Sequence, residues 1–271
     1  MAGKVLVPLD GSEQSDRILS FVDRLPDRAT LRLVLARVLS ETADREACGE
    51  AVQHVVGVAD RMNAAGARAT PLVTRGADAA AAILELVDLV GPDLVAMAAQ
   101  GRGRTDAVRG DVAEQVLMRC PVPLFVGTAQ ALPIDPGSGF AKILVPLDDT
   151  ATSARILDHV AALARHHGSE VLLLTVDTLD TPQEQLERSL QPYRERLLQG
   201  DVERVRILTG RGDEATQILD AASREGVDLL AMTSHAHPDP KGRWFGSVSQ
   251  EVMRLCTNPV LLVRIPRGKS G

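Results

Sequence analysis

The 271-residue sequence predicts two tandem α/β domains, each a doubly wound sheet of five parallel strands, on three observations. The length exceeds the roughly 100–150 residues that one domain usually holds. Short apolar runs alternate with amphipathic stretches, and most of the runs are continuously apolar, as in strands that helices cover on both faces. Finally, the second half of the chain repeats the first.

The internal repeat rests on three matches in the same order. The segment KVLVPLD at residues 4–10 returns as KILVPLD at 142–148, and PDLVAM at 92–97 returns as VDLLAM at 227–232. CPVPLFV at 120–126 returns as CTNPVLL at 256–262. Because the offsets are 138, 135 and 136 positions, one unit has been duplicated. We expect domains at 1–130 and 141–267, joined by a proline- and glycine-containing linker at 131–140.

Five strands are predicted in each copy. Pro8 and Pro146 lie inside the first strand of each copy and argue mildly against a central position, but both are close to the strand's end. The predicted strands span 5–9, 31–38, 69–73, 94–97 and 124–126 in the first copy, and 143–147, 171–176, 205–208, 229–232 and 260–263 in the second.

Helices are predicted between the strands, where apolar residues recur every three or four positions. We expect right-handed crossovers between the parallel strands. The apolar positions are Ile18, Phe21, Val22 and Leu25; Ala51, Val55, Ala59 and Met62; Ile83, Val87 and Val90; Val112, Val116 and Cys120; Leu186, Leu190, Tyr193 and Leu197; Ile218, Leu219 and Ala222; and Val248, Val252 and Cys256.

The composition argues against several classes of function. A net charge of -6 provides no general basic surface for nucleic acid or anionic lipid, and 2% aromatic residues cannot supply base-stacking platforms. Three cysteines without a CxxC pair argue against disulfides or a cysteine-based zinc site; we expect Cys120 and Cys256 to be small core residues. No apolar run is long enough to span a membrane, and Pro8 and Asp10 come too early for a signal peptide. We expect a cytoplasmic protein that binds neither nucleic acid nor membrane.

A ligand site is expected where the winding direction of the sheet reverses, beyond the carboxyl ends of the strands. Two loops of each copy suit that place: one after the first strand, at 10–12 and 148–150, and one after the fourth strand, at 98–111 and 233–247. The second loop leads into a helix through glycine and a polar residue, and free N–H groups at a helix start attract phosphate. The alternative is that Asp111 and Ser247 are simply helix N-caps.

These residues resemble the universal stress protein family in its tandem form. The resemblance is carried by VPLDGS at 7–12, by DLLAM before Thr233, by GSV at 246–248 and by PVLLV at 259–263. It implies a Rossmann-like sheet with strand order 3-2-1-4-5, a stress-linked regulatory role and a homodimer. Some members bind ATP or AMP, with Mg²⁺ if the ligand is ATP. These members carry Gly-x2-Gly-x9-Gly-Ser/Thr after the fourth strand.

Carried over position by position, the pattern separates the two copies. In the second copy Gly246 and Ser247 are retained, while Thr233 and Ala236 occupy the first two glycine positions. The resemblance places Asp148 and Val176 at the nucleoside and Ser249, with Gly246 and Ser247, at the phosphates. Departures are Asp149, where glycine is usual, and two prolines inside the loop.

In the first copy Asp10, Val38 and Gly101 match the pattern, but Gly110 arrives one residue early. Asp111 then replaces the serine or threonine, which places a carboxylate where a phosphate would bind. We therefore expect a degenerate site in the first copy and a nucleotide site, if there is one, in the second.

No residue is assigned a catalytic or metal-binding role. His235, His237 and Asp239 form one local cluster without distant ligands, and no Ser-His-Asp order or nucleophile elbow is present. The sequence favours a binding and regulatory module over an enzyme. Two alternatives stay open: a nucleotide-independent protein-interaction module with an unknown protein partner, and a slow ATPase, which is disfavoured because no general base stands beside the phosphate loop.

Overall fold

The computed structural model describes residues 3–26, 30–99, 112–128, 139–148, 153–235 and 247–265. The chain forms two compact units, to which the described residues up to 128 and from 139 onwards belong. The fold agrees with the predicted class, because each unit contains five parallel strands connected through helices.

The first unit begins with β1 and continues through nine further elements. These are β1 (Lys4–Pro8), α1 (Glu13–Asp16), α2 (Ile18–Val22), β2 (Arg32–Leu39), α3 (Arg45–Ala64), β3 (Arg68–Arg75), α4 (Ala79–Val90), β4 (Leu94–Ala98), α5 (Val112–Arg119) and β5 (Leu124–Gly127).

The second unit repeats this order, with a 3₁₀ helix in place of α1. Its elements are β6 (Lys142–Pro146), the 3₁₀ helix (Ser153–Ile156), α6 (Leu157–His167), β7 (Glu170–Asp177), α7 (Gln183–Gln199), β8 (Arg204–Arg211), α8 (Glu214–Glu225), β9 (Leu229–His235), α9 (Ser247–Leu255) and β10 (Val260–Ile265).

The strand order within each unit is 3-2-1-4-5, as the family resemblance implied. It runs β3-β2-β1-β4-β5 in the first unit and β8-β7-β6-β9-β10 in the second. The central strands are buried, because the side chains of residues 5–7 and of residues 143–145 are 0% exposed. All ten predicted strands are confirmed, with ends that differ from the prediction by at most three residues.

The hydrogen bonds next to Pro8 and Pro146 show how a central strand can contain a proline. Leu9 N–H donates to the Ala36 carbonyl of β2 at 2.8 Å, so the missing N–H of Pro8, one residue earlier, is on the side of β4. Pairing of β1 with β4 accordingly runs only through Val5 and Leu6. Pro146 acts in the same way in the second unit: Leu147 donates to β7, and β6 pairs with β9 only at residues 143 and 144.

The first helix differs from the prediction. Apolar spacing from Ile18 to Leu25 predicts one helix, whereas α2 ends at Val22 and Leu25 lies in a tighter turn. There Leu25 N–H donates to the Val22 carbonyl, three residues back instead of four. All four apolar residues of the pattern are nevertheless buried, so the spacing identified the correct face.

Two lysine–aspartate pairs join the helices to the sheet at its amino-terminal edge. Lys4 Nζ donates to the Val90 carbonyl at the end of α4, and Asp93 Oδ2 accepts from Lys4 N–H. Lys142 and Asp228 make the same contacts in the second unit, where Nζ donates to the Glu225 carbonyl. A cation at a helix C-terminus satisfies a carbonyl that has no partner within the helix.

Two of the three cysteines agree with the expectation from composition. Cys120 and Cys256 are buried, and burial raises the pKa of the Cys256 thiol; Cys48 is partly exposed. Across the part of the chain that the structure describes, no helix is both long and apolar enough to cross a membrane. The same residues contain no cluster of three or more histidine, cysteine or acidic side chains that could hold a metal ion.

Two glycines predict opposite effects of alanine on stability. Gly91 ends α4 with φ +58°, and Gly49 lies on the exposed face of α3; a Cβ at either position would contact nothing within 4 Å. We expect Gly91→Ala to lower the free energy of unfolding by about 1 kcal/mol, because a left-handed backbone strains alanine. Gly49→Ala should raise it by about 0.5–1 kcal/mol, because alanine favours the helix. Urea unfolding measures both; a stabilised Gly91→Ala variant would contradict the assignment of this helix end.

Candidate functional site

The candidate site lies at the carboxyl edge of the second unit, where β6 and β9 separate. Pairing between these strands ends at Leu144 and Leu230. Asp148 lies four residues beyond Leu144 and Thr233 three beyond Leu230, so they stand on opposite sides of the opening. Asp148 is exposed, and Thr233 is partly buried and pairs with Val263 of β10. The opening is the reversal point at which doubly wound sheets bind ligands.

Val176 lies next to this opening near the end of β7. It is partly buried and pairs with Gly210 of β8, over which the Gln217 side chain packs. The structure therefore brings Asp148, Val176 and Thr233 to one edge of one sheet. Ala236 and Gly246 lie outside the described residues, as do His237 and Asp239.

The start of α9 combines one exposed and one buried serine. Ser247 is exposed, while Ser249 is 5% exposed. N–H groups in the first turn of a helix lack intrahelical partners and can bind an anion. No acidic residue lies in the first turn of α9.

The first turn of α5, the matching helix of the first unit, carries Glu114. This residue was not considered in the sequence analysis, which weighed only Asp111. Alignment of the copies at an offset of 136 positions would have revealed it, because Glu114 then aligns with Gln250. A carboxylate in this turn makes the helix start less favourable for phosphate.

In the first unit the Asp10 carboxylate accepts hydrogen bonds from the turn that follows it. Asp10 Oδ1 accepts hydrogen bonds from Ser12 N–H at 2.9 Å and from the Ser12 hydroxyl at 2.6 Å. The Ser12 hydroxyl in turn accepts from Ser15 N–H and caps α1, while Gly11 supplies the required φ of +73°. Val38 is partly buried near the end of β2; Gly101, Gly110 and Asp111 lie outside the described residues.

Asp177, which the sequence analysis missed, organises the loop after β7. Its Oδ1 accepts from Leu179 N–H at 3.1 Å and from the Thr181 hydroxyl at 3.0 Å, and its Oδ2 accepts from Thr181 N–H at 2.6 Å. Burial acts to raise the pKa of Asp177. The three hydrogen bonds, with Arg211 nearby, outweigh burial and lower the pKa below its usual value. An aspartate followed by Thr, Leu, Asp and Thr was the available signal.

In each unit one arginine braces the loop after the second strand, which follows β2 in the first unit and β7 in the second. Arg211, at the end of β8, donates to the Thr181 carbonyl at 2.9 Å and to Asp180 Oδ1 at 3.2 Å. Arg75, at the end of β3, donates to the Glu41 carbonyl at 2.8 Å. The brace is thus part of the duplicated scaffold, whereas the Asp177 contacts belong to the second unit.

Asp177 predicts a pH dependence of stability. Because its pKa is lowered in the folded state, the carboxylate stabilises the fold above the unfolded value of about 3.9, and this stabilisation is lost as pH falls through the folded pKa. We expect Asp177→Asn to lower the free energy of unfolding at pH 6, by a difference that shrinks below about pH 4. Urea unfolding from pH 3 to 7 measures it, with the exposed Glu203→Gln as control. A difference that is independent of pH would show that the charge contributes nothing.

Comparison with known proteins agrees with this architecture. The model of the universal stress protein family matches residues 1–126 and 139–264. The universal stress protein YxiE of Bacillus subtilis (strain 168) is 28% identical over 148 residues, which cover 46% of this chain and 99% of YxiE.

Solved structures share the fold over the whole chain. The crystal structure of a universal stress protein from Archaeoglobus fulgidus DSM 4304 has a TM-score of 0.78 at 20% identity, covering 97% of this chain and 98% of that one. A putative universal stress protein from Pseudomonas aeruginosa UCBPP-PA14 has a TM-score of 0.71 at 15% identity, covering 97% and 93%. Since the family model matches once in each half, the chain belongs to the universal stress protein family, with two family domains in tandem.

Proposed function

We propose that this chain is a stress-response regulatory module that binds one adenine nucleotide, ATP or AMP, in its second domain. The proposed ligand residues are Asp148 and Val176 at the nucleoside, Thr233 and Ala236 in the loop after β9, and Gly246, Ser247 and Ser249 at the phosphates. Membership of a family with nucleotide-binding members supports the ligand class. The matching positions of the first domain, Asp10, Val38, Gly101 and Gly110, form a degenerate site in this proposal.

One observation carries the choice of the second domain. The first turn of α9 begins at an exposed serine and contains no acid, whereas the first turn of α5 contains Glu114. Two charges about 4 Å apart interact by about 4 kcal/mol at an effective dielectric constant of 20. An acid in the first turn therefore disfavours phosphate at that helix start, and α9 is the more favourable of the two.

The chemistry of the second domain fits the proposed ligand. The exposed Asp148 carboxylate can accept hydrogen bonds from ribose hydroxyls, and the backbone N–H groups at the start of α9 can donate to phosphate oxygens. If the ligand is ATP, Mg²⁺ would accompany it and neutralise part of the phosphate charge.

The proposal assigns binding and regulation, not catalysis, to the site, and no residue a catalytic role. A general base must lie within hydrogen-bond reach of the proton that it removes. The residues proposed for the phosphate end supply backbone amides and hydroxyls, which are not such bases at neutral pH. A cytoplasmic location and a homodimer complete the proposal, in line with the family.

Nucleotide content tests the proposal directly. We expect acid extraction of the purified chain, or titration with Mg-ATP or AMP, to give about one equivalent per chain, because of the two helices that follow the fourth strands only α9 has a first turn free of acids. Isothermal titration calorimetry and nucleotide chromatography measure it. Two equivalents would contradict the degenerate first site. Absence of binding at millimolar nucleotide would favour the interaction-only alternative.

A negative charge at the start of α9 should weaken nucleotide binding. We expect Ser247→Asp to weaken nucleotide affinity at least about tenfold, after allowance for the screening of an exposed charge. Ser247→Ala retains the backbone amide and should stay within about threefold of the parent affinity. Calorimetry with both variants decides, and parent affinity in Ser247→Asp would refute the assignment. Turnover of ATP above a protein-free control, lost in the same variant, would instead support the ATPase alternative.

A further inference from the structure

The loop after β7 combines an exposed apolar tip with a rigid frame. Leu179 is 85% exposed, the largest exposure among the large apolar side chains of the described residues. A single exposed leucine is ordinary on a protein surface and by itself indicates nothing. Leu179 differs from the other exposed large apolar residues in its place, because it lies in a loop at the carboxyl end of a strand whereas the others lie on helices.

The frame consists of the hydrogen bonds made by Asp177 and Arg211, which hold the loop on both sides of Leu179. Asp177 accepts a hydrogen bond from Leu179 N–H itself and two from Thr181. Asp180, the next residue, has φ +61°, a conformation that costs energy for a residue other than glycine. Its carboxylate pairs with Arg211, which also holds the Thr181 carbonyl. The backbone of residue 179 is therefore held before any ligand arrives.

The loop after β7 lies close to the candidate site along the chain. Leu179 follows Val176 by three residues, within about 10 Å along even a fully extended chain. Val176 lies in β7 and Leu179 in the loop after it, and β7 pairs with β6, the strand that precedes Asp148. A leucine held in this place offers an apolar surface at the end of the site that is proposed to receive the base.

The first domain has the brace without the apolar tip. Arg75 holds the loop after β2 through the Glu41 carbonyl, as Arg211 holds the loop after β7. The tip residue there is Glu41, which is exposed and charged. Since the brace occurs in both domains, rigidity alone does not require a leucine. The apolar tip occurs in the same domain as the helix start without acids.

We propose that Leu179 is a ligand-binding residue: its side chain packs against the face of the nucleobase and makes the affinity for nucleotide higher than the affinity for polyphosphate alone. This inference rests on the proposed nucleotide site of the second domain. Because a rigid loop loses little entropy on binding, the apolar contact would contribute most of its energy to affinity. A contact with a ring face also selects for a base without selecting among bases.

Leu179→Ala tests the inference by calorimetry with Mg-ATP and, separately, with Mg-tripolyphosphate, which lacks a base. We expect ATP affinity to fall about five- to tenfold and tripolyphosphate affinity to stay within twofold. Leu179→Met should retain the ATP affinity of the parent, because methionine supplies a similar apolar surface. The matched control is Leu89→Ala, which truncates a leucine of 79% exposure on α4 of the other domain and should change neither affinity.

The outcomes separate this inference from the function on which it rests. Unchanged ATP affinity in Leu179→Ala, with nucleotide bound by the parent, overturns the role of Leu179 and leaves the proposed function intact. An equal loss for ATP and tripolyphosphate also overturns it, because the leucine would then act on the phosphate end. If the parent chain binds no nucleotide, both proposals fail together.

Discussion

The missing N–H groups of two prolines shape each half of this molecule. Pro8 and Pro146 lie in the central strand of their units, and the N–H group that each lacks would face the fourth strand. The hydrogen-bonded ladder between the first and fourth strands therefore ends after two residues. The other ladders of each sheet continue to the carboxyl edge. As a result the strands of each unit separate at one defined place, between the first and fourth strands at the carboxyl edge. Asp148 and Thr233, two of the residues proposed for the site, lie on the two sides of this opening in the second unit.

The fold could be predicted from the sequence because its signals are redundant. Continuous apolar runs, amphipathic spacing and an internal repeat all indicated the same architecture, and each copy provided an independent test of the other. The exception was the region from Ile18 to Leu25, where the spacing identified the buried face but not the tight turn that ends α2 at Val22. Periodicity reports which side chains are buried, whereas hydrogen bonds between close neighbours decide where a helix stops.

The candidate site was less predictable because its residues act through local geometry. Asp148 and Thr233 could be placed from strand ends and Val176 through the family resemblance, and the structure brings all three to one edge of the sheet. For Asp177 the signal was limited to the turn-forming residues that follow it, and Arg211 had none, because their importance lies in the hydrogen bonds between β7, β8 and the loop. Glu114 was visible in the sequence but gained meaning only when its place in the first turn of α5 was known.

The two lysine–aspartate pairs at the amino-terminal edge have a practical consequence for chemical labelling. The chain contains only four lysines, and two of them, Lys4 and Lys142, are partly buried with their ammonium groups 2.6 Å from helix carbonyls. Amine-directed dyes, cross-linkers and acetylating reagents therefore meet few targets on this protein, and these two amines are shielded. Acetylation of either lysine would remove the positive charge from the end of α4 or α8. Conjugation chemistry directed at the partly exposed Cys48 leaves both ammonium groups unchanged.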